Sequence, residues 1–106
     1  MLSVPTNVLV YLCTLATYMR KSFDGLHALV VQVFRCNPID GHLFLFVNRR
    51  RDRLKVIWWD RDGWAIFYKR LESGTYQIPL PAEGAGGLEI DATHLAMLLN
   101  GIDVTS

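Results

Sequence analysis

Residues 42–47 (HLFLFV) place large apolar side chains on both faces of a strand, with Phe44 and Phe46 on one and Leu43, Leu45 and Val47 on the other. A strand that is apolar on both faces is covered on both, by helices or by a second copy of the protein. Residues 54–59 (LKVIWW) repeat the pattern, with Leu54, Val56 and Trp58 on one side and Ile57 and Trp59 on the other. A second apolar-aromatic run, 64–68 (WAIFY), follows Asp60-Arg61-Asp62-Gly63, a turn sequence with glycine in its last place. The two runs predict a β-hairpin. With Trp59 opposite Ala65, Lys55 faces Lys69 and Leu54 faces Arg70.

Upstream, Pro5-Thr6-Asn7 reads as a loop and the apolar run Val8-Leu9-Val10-Tyr11-Leu12 as a buried or half-buried strand, with an irregular stretch to Arg20. Phe23, Leu26, Val30, Val33 and Phe34 recur at helical steps and form one stripe. Ser22 can cap that helix, Asp24 suits its first turn, and Asn37-Pro38 ends it. Downstream, Tyr76-Gln77-Ile78 predicts a short edge strand stopped by Pro79 and Pro81, and residues 83–87 (EGAGG) a flexible loop. Asp91 or Thr93 starts a last helix with Leu95, Leu98 and Leu99 as its apolar stripe and Gly101 as its C-cap. The element order predicts a single α+β domain over residues 1–106: an antiparallel β-meander of about four to five strands, one helix before it and one C-terminal helix. One helix cannot cover both faces of such a sheet. Either the C-terminal helix takes the second face or a partner does.

Charge is unevenly spread. Residues 1–47 carry a net +1, residues 48–72 a net +4 and residues 73–106 a net −4. Arg49, Arg50, Arg51 and Arg53 fall within five residues just before the hairpin, and any register gathers them with Lys55, Lys69 and Arg70 at one end of it. A cluster of repelling cations points to an anionic partner; the competing reading is that Asp52 and Glu72 neutralise it on a solvated rim. Half the residues are apolar and a fifth charged, as in a folded chain, which excludes disorder. Cys13 and Cys36 lack C-x-x-C spacing and sit among apolar residues, which predicts reduced core thiols in a cytoplasmic protein. The apolar run at residues 8–19 is followed, not preceded, by Arg20 and Lys21, and is too short to span a bilayer, so neither leader nor membrane insertion is expected.

No catalytic constellation emerges. His27, His42 and His94 have no metal-ligand spacing, and no nucleophile elbow, P-loop or dinucleotide fingerprint is present. Ser22 has no assignable base, and Asp60 and Asp62 are what a turn uses. The expectation is a protein that is not an enzyme and takes no metal or cofactor. Nucleic-acid binding fits better. Arginine forks suit phosphate oxygens and guanine edges, and Trp58, Trp59, Trp64, Phe67 and Tyr68 interleave with the basic residues, either as stacking platforms or as core.

Three stretches carry a family resemblance: MRKSFDGL at residues 19–26, GHLF through NRRRDRLK at 41–55, and WD through FYKRLE at 59–72. With the ending LAMLLNGID, nearly the whole chain resembles TnpB, the small accessory protein of the second open reading frame of insertion-sequence-66 elements. It departs from that pattern at Tyr18, where an aspartate is usual, and at Ile78, where a tryptophan commonly precedes the proline. The resemblance implies a bacterial mobile element whose transposase is a separate protein, and it brings no agreed site residues with it. From charge alone, Arg49, Arg50, Arg51, Arg53, Lys55, Lys69 and Arg70, extended by Arg20 and Lys21, are expected to contact DNA, the element's terminal repeats foremost. The alternative is an adaptor that docks on the transposase through the sheet or the C-terminal helix. A homo-oligomer is compatible with either.

Overall fold

In the computed structural model, which describes residues 7–79 and 86–100, the doubly apolar strand β2 (Leu43–Val47) is buried along its whole length. It lies in the middle of a five-stranded sheet. Around it stand β1 (Val10–Cys13), β3 (Arg53–Asp60), β4 (Gly63–Arg70) and β5 (Gly87–Ile90), in the order β4-β3-β2-β1-β5. β2, β3 and β4 form the antiparallel meander, β1 joins β2 in parallel, and β5 pairs antiparallel with β1. Helix α1 (Phe23–Leu29) bridges the parallel pair, and α2 (Ala92–Leu99) closes the described chain.

The alternation in the sequence decides which side chain meets which helix. Phe44, Phe46 and Ile57 pack with Leu26 and Val30 on the α1 face. Leu43, Leu45, Val47, Leu54 and Val56 pack with Leu95, Leu98 and Leu99 on the α2 face. Both faces are therefore covered by the chain's own helices, which answers for the second face: α2 takes it. Each fully buried Phe or Leu contributes about 1.5–3 kcal/mol of transfer free energy. Such residues on both faces make the sheet the centre of the core.

Local details depart from the expected ones. Helix α1 has no side-chain bond from Ser22; it runs on as a π-helical turn, Val30–Phe34, and stops where Arg35 turns left-handed at φ 53°. Asn37-Pro38 instead opens a short 3-10 turn, Pro38–Asp40, in which Asn37 accepts from the Ile39 N–H. The hairpin register is one residue tighter than expected, because the turn has two residues and closes on Asp60 and Gly63. Trp59 faces Trp64, Lys55 faces Tyr68, and Arg53 faces Arg70. Tyr76-Gln77-Ile78 is not a strand; it is irregular and buries Tyr76 and Ile78 on the α2 face. The fifth strand is β5, in a stretch read as loop at its start. Asp91 caps α2, accepting from the His94 N–H at 2.7 Å. Pro5, Thr6, Pro81, residues 83–85 and Gly101 lie outside the described residues.

Candidate nucleic-acid interface

The basic end of the sheet begins where β2 stops. Asn48 follows β2 and holds the next five residues in place with its own side chain. Its Oδ1 accepts from the backbone N–H of Asp52 and of Arg53, both at 3.0 Å, and its Nδ2 donates to the Asp52 carboxylate at 2.7 Å. Backbone bonds complete the staple: Arg51 N–H to Asn48 O, Asn48 N–H to Arg53 O and Tyr76 N–H to Arg51 O. Arg51 sits at φ 59°. An Asn just after a strand is a common turn former, and here that chemistry shapes the arginine loop. The signal was present in the sequence but eclipsed by the arginines beside it.

Arg49, Arg50 and Arg51 are exposed and Arg53 half-exposed, and among the described residues none of the four forms an ion pair. Asp52, the expected neutraliser, is spent on Asn48. That hydrogen bond, with Arg50 and Arg53 nearby, holds its carboxyl below the usual range against a smaller opposing effect of burial. Glu72 does pair, with Arg70 at 2.9 Å, across an exposed surface. Arg53 donates to the Tyr68 hydroxyl at 3.2 Å.

Two of the expected contact residues have structural employment instead. Lys55 is buried, and its Nζ donates to Met19 O at 2.6 Å and Lys21 O at 2.8 Å, 4.8 Å from the centre of the Tyr68 ring. Lys69 donates to Leu99 O at 2.8 Å, a cation at the carbonyl end of α2. The reason is the register: Lys55 points to the α1 side beneath the loop leaving β1, and Lys69 to the α2 side. Arg20 is exposed and Lys21 half-exposed on that loop.

Lys55 ties the loop from β1 against the loop from β2, and Thr17 N–H adds a bond to Val47 O at 2.9 Å. Between the loops lies a cleft of about 660 Å³, lined by Tyr18, Met19, Asn48, Arg49, Arg50 and Arg53 among others. It opens beyond the carboxyl ends of the parallel strands β1 and β2, where sheets with parallel strands commonly receive ligands. Tyr18 is 77% exposed at its edge. Tyr18, Asn48 and Asp52 were not among the residues expected at the site.

The remaining aromatic residues are mostly core. Trp58 and Phe67 pack toward α2, and Trp64 packs toward α1, 5.3 Å from the His27 ring. Only Tyr68 of the hairpin set is exposed. His42 accepts from the Leu9 N–H through Nδ1, and His94 lies 3.4 Å from the Asp91 carboxylate. Among the described residues no three of His, Cys, Asp and Glu gather as metal ligands, and no helix is long and apolar enough to cross a membrane. Both cysteines are free; burial raises the Cys13 thiol above its ordinary range.

The fold and this end of it define a small helix-covered sheet protein with a stapled cationic loop. Residues 8–106 match the IS66 Orf2-like proteins (TnpB_IS66), and the chain belongs to that family, whose members are accessory to insertion-sequence transposition. It is 44% identical over 103 residues to the uncharacterized protein y4hO of Sinorhizobium fredii (strain NBRC 101917 / NGR234), covering 97% of this chain and 88% of that one. A second protein of the same strain, y4jC, is 36% identical over 86 residues, covering 81% and 72%. No solved structure matches the chain.

Proposed function

We propose that this protein is a non-catalytic accessory factor that binds DNA at the basic end of its sheet, beside a separate element-encoded transposase in the bacterial cytoplasm. Arg49, Arg50, Arg51 and Arg53 supply the phosphate contacts, and Arg20, Lys21 and Arg70 extend the surface. The observation that carries this reading is the loop at 48–53: its backbone is held by Asn48 while its guanidinium groups have no acidic partner among the described residues. Four arginines on an ordered loop, with Asp52 as the acid among them, repel one another, and a polyanion relieves that repulsion. The covered sheet faces leave an adaptor the C-terminal helix rather than a bare sheet to dock through.

The test is fluorescence anisotropy on duplexes carrying the element's terminal repeats and on scrambled duplexes, across a salt series. The native protein is expected to bind with log affinity falling by about 0.9 per log unit of salt for each phosphate contacted. The Arg49/Arg50/Arg51/Arg53→Glu variant, folded by circular dichroism, is expected to lose that binding. Failure of the native protein to bind either duplex at low salt would overturn the DNA reading and leave the adaptor.

A further inference from the structure

The sheet has two outer strands, and they are unlike. β5 has four residues and begins at Gly87, whereas β4 has eight. The two-residue turn closes on the pair Asp60 and Gly63, and Leu71 N–H bonds Asp52 O eight residues later in the same parity. Odd-numbered residues of β4 therefore bond to β3, and the N–H and C=O groups of Trp64, Ile66, Tyr68 and Arg70 point away from the sheet. Among the described residues these outward groups have no backbone partner. Edge strands are usually protected by shortness, proline, a bulge or an inward charge. The centre of β4, Ala65-Ile66-Phe67, has none of these.

We propose that two copies of this chain pair β4 against β4, antiparallel, about a two-fold axis at Ile66, so that the two sheets become one of ten strands. Outward groups can only face outward groups, so the two-fold axis falls on a residue rather than between two, and the axes that pair most of β4 are the central ones, at Ile66 and at Phe67. The Phe67 axis sets Asp62 against the partner's Glu72, like against like. The Ile66 axis sets Asp62 against the partner's Arg70 and Trp64 against the partner's Tyr68. It brings the acidic turn of each copy to the basic end of the other. Tyr68, 48% exposed in the single chain, and the half-buried Trp64 and Ile66 gain cover on the α1 side. The pairing places the two arginine loops at opposite ends of a strand pair roughly 27 Å long, and it stands whether or not the loops bind DNA.

Sedimentation equilibrium of the full chain tests it, with Ile66→Lys as the disrupting variant and Val31→Lys, exposed on the π-helical turn that continues α1, as the charge control. The native chain and Val31→Lys are expected to be dimers and Ile66→Lys a monomer with unchanged circular dichroism. Independently, Ile66→Cys is expected to form a disulfide-linked dimer under mild oxidation, because two-fold partners in a hydrogen-bonded pair stand about 5.5 Å apart at Cα, within disulfide reach. Glu89→Cys on β5 is expected not to. A native monomer at high concentration, or a dimer that Ile66→Lys leaves intact and Ile66→Cys does not cross-link, would overturn the proposal.

Discussion

Lys55 shows how far a residue's neighbours can redirect its chemistry. By sequence it is one more cation beside four arginines; in the fold its ammonium is buried against two backbone carbonyls of the loop leaving β1. Hydrogen bonds to a charged group contribute about 1.5–3 kcal/mol, so Lys55→Met is expected to lower unfolding free energy by about 2 kcal/mol in urea titration. The salt dependence of DNA binding should stay as it is, whereas Arg50→Ala should lower its slope by about 0.9. A Lys55→Met slope that falls with an unchanged urea midpoint would return Lys55 to the phosphate contacts. Tyr76 makes a second case. Its phenol is fully buried, and burial, reinforced by the Asp52 charge, pushes its pKa up to about 12 from an ordinary 10. The folded chain thus keeps that proton to higher pH than the unfolded chain does. Its contribution to stability is complete below pH 10 and is lost as pH rises to about 12. Urea midpoints measured through that window should fall more steeply for the native chain than for Tyr76→Phe.

Among the elements, those set by local periodicity were legible and those set by contact were not. β2, β3, β4, α1 and α2 follow from which residues recur on which face, and the sides assigned to Phe44, Phe46, Leu45, Leu54 and Ile57 are the sides observed. Hairpin register turns on whether the loop has two residues or three, and one residue exchanges every cross-strand partner. Here it puts Trp59 and Trp64 edge to face at 5.3 Å and sets Arg53 opposite Arg70, a like-charged pair that Tyr68 and Glu72 accommodate with hydrogen bonds. β5 escaped notice because its first residue is glycine, a poor strand former. The fold explains that choice: a Cβ on Gly87 would come within 2.4 Å of the Phe34 ring. Helix α2 has the clearest energetic stake. Leu98 is 1% exposed on the face shared with Leu45 and Val56. Leu98→Ala is expected to cost about 2–5 kcal/mol, a large part of a small domain's stability, while Ala96→Lys on the exposed side should cost little. Urea midpoints of the two variants check this; equal losses would mean that α2 does not seal the second face.

At the scale of the whole molecule, the segregation of charge in the sequence becomes a segregation in space. The loops leaving β1 and β2 and the start of β3 share one end of the sheet, and the arginines stand there together with Arg20, Lys21 and Arg70. The sequence by itself determined that such an end exists, because a hairpin brings its two ends together whatever its register. It also determined that both sheet faces are apolar and that no catalytic spacing is present, since these are properties of local order along the chain. Only the tertiary structure decided that Asn48 shapes the arginine loop, that α2 covers the second face and, among the described residues, which cations lack an ion pair and that the β4 edge rather than a sheet face is left open. Those outcomes depend on contacts between residues far apart in the chain, such as Lys55 with Met19 and Leu45 with Leu98, and periodicity within a segment carries no information about what another segment will bring to meet it.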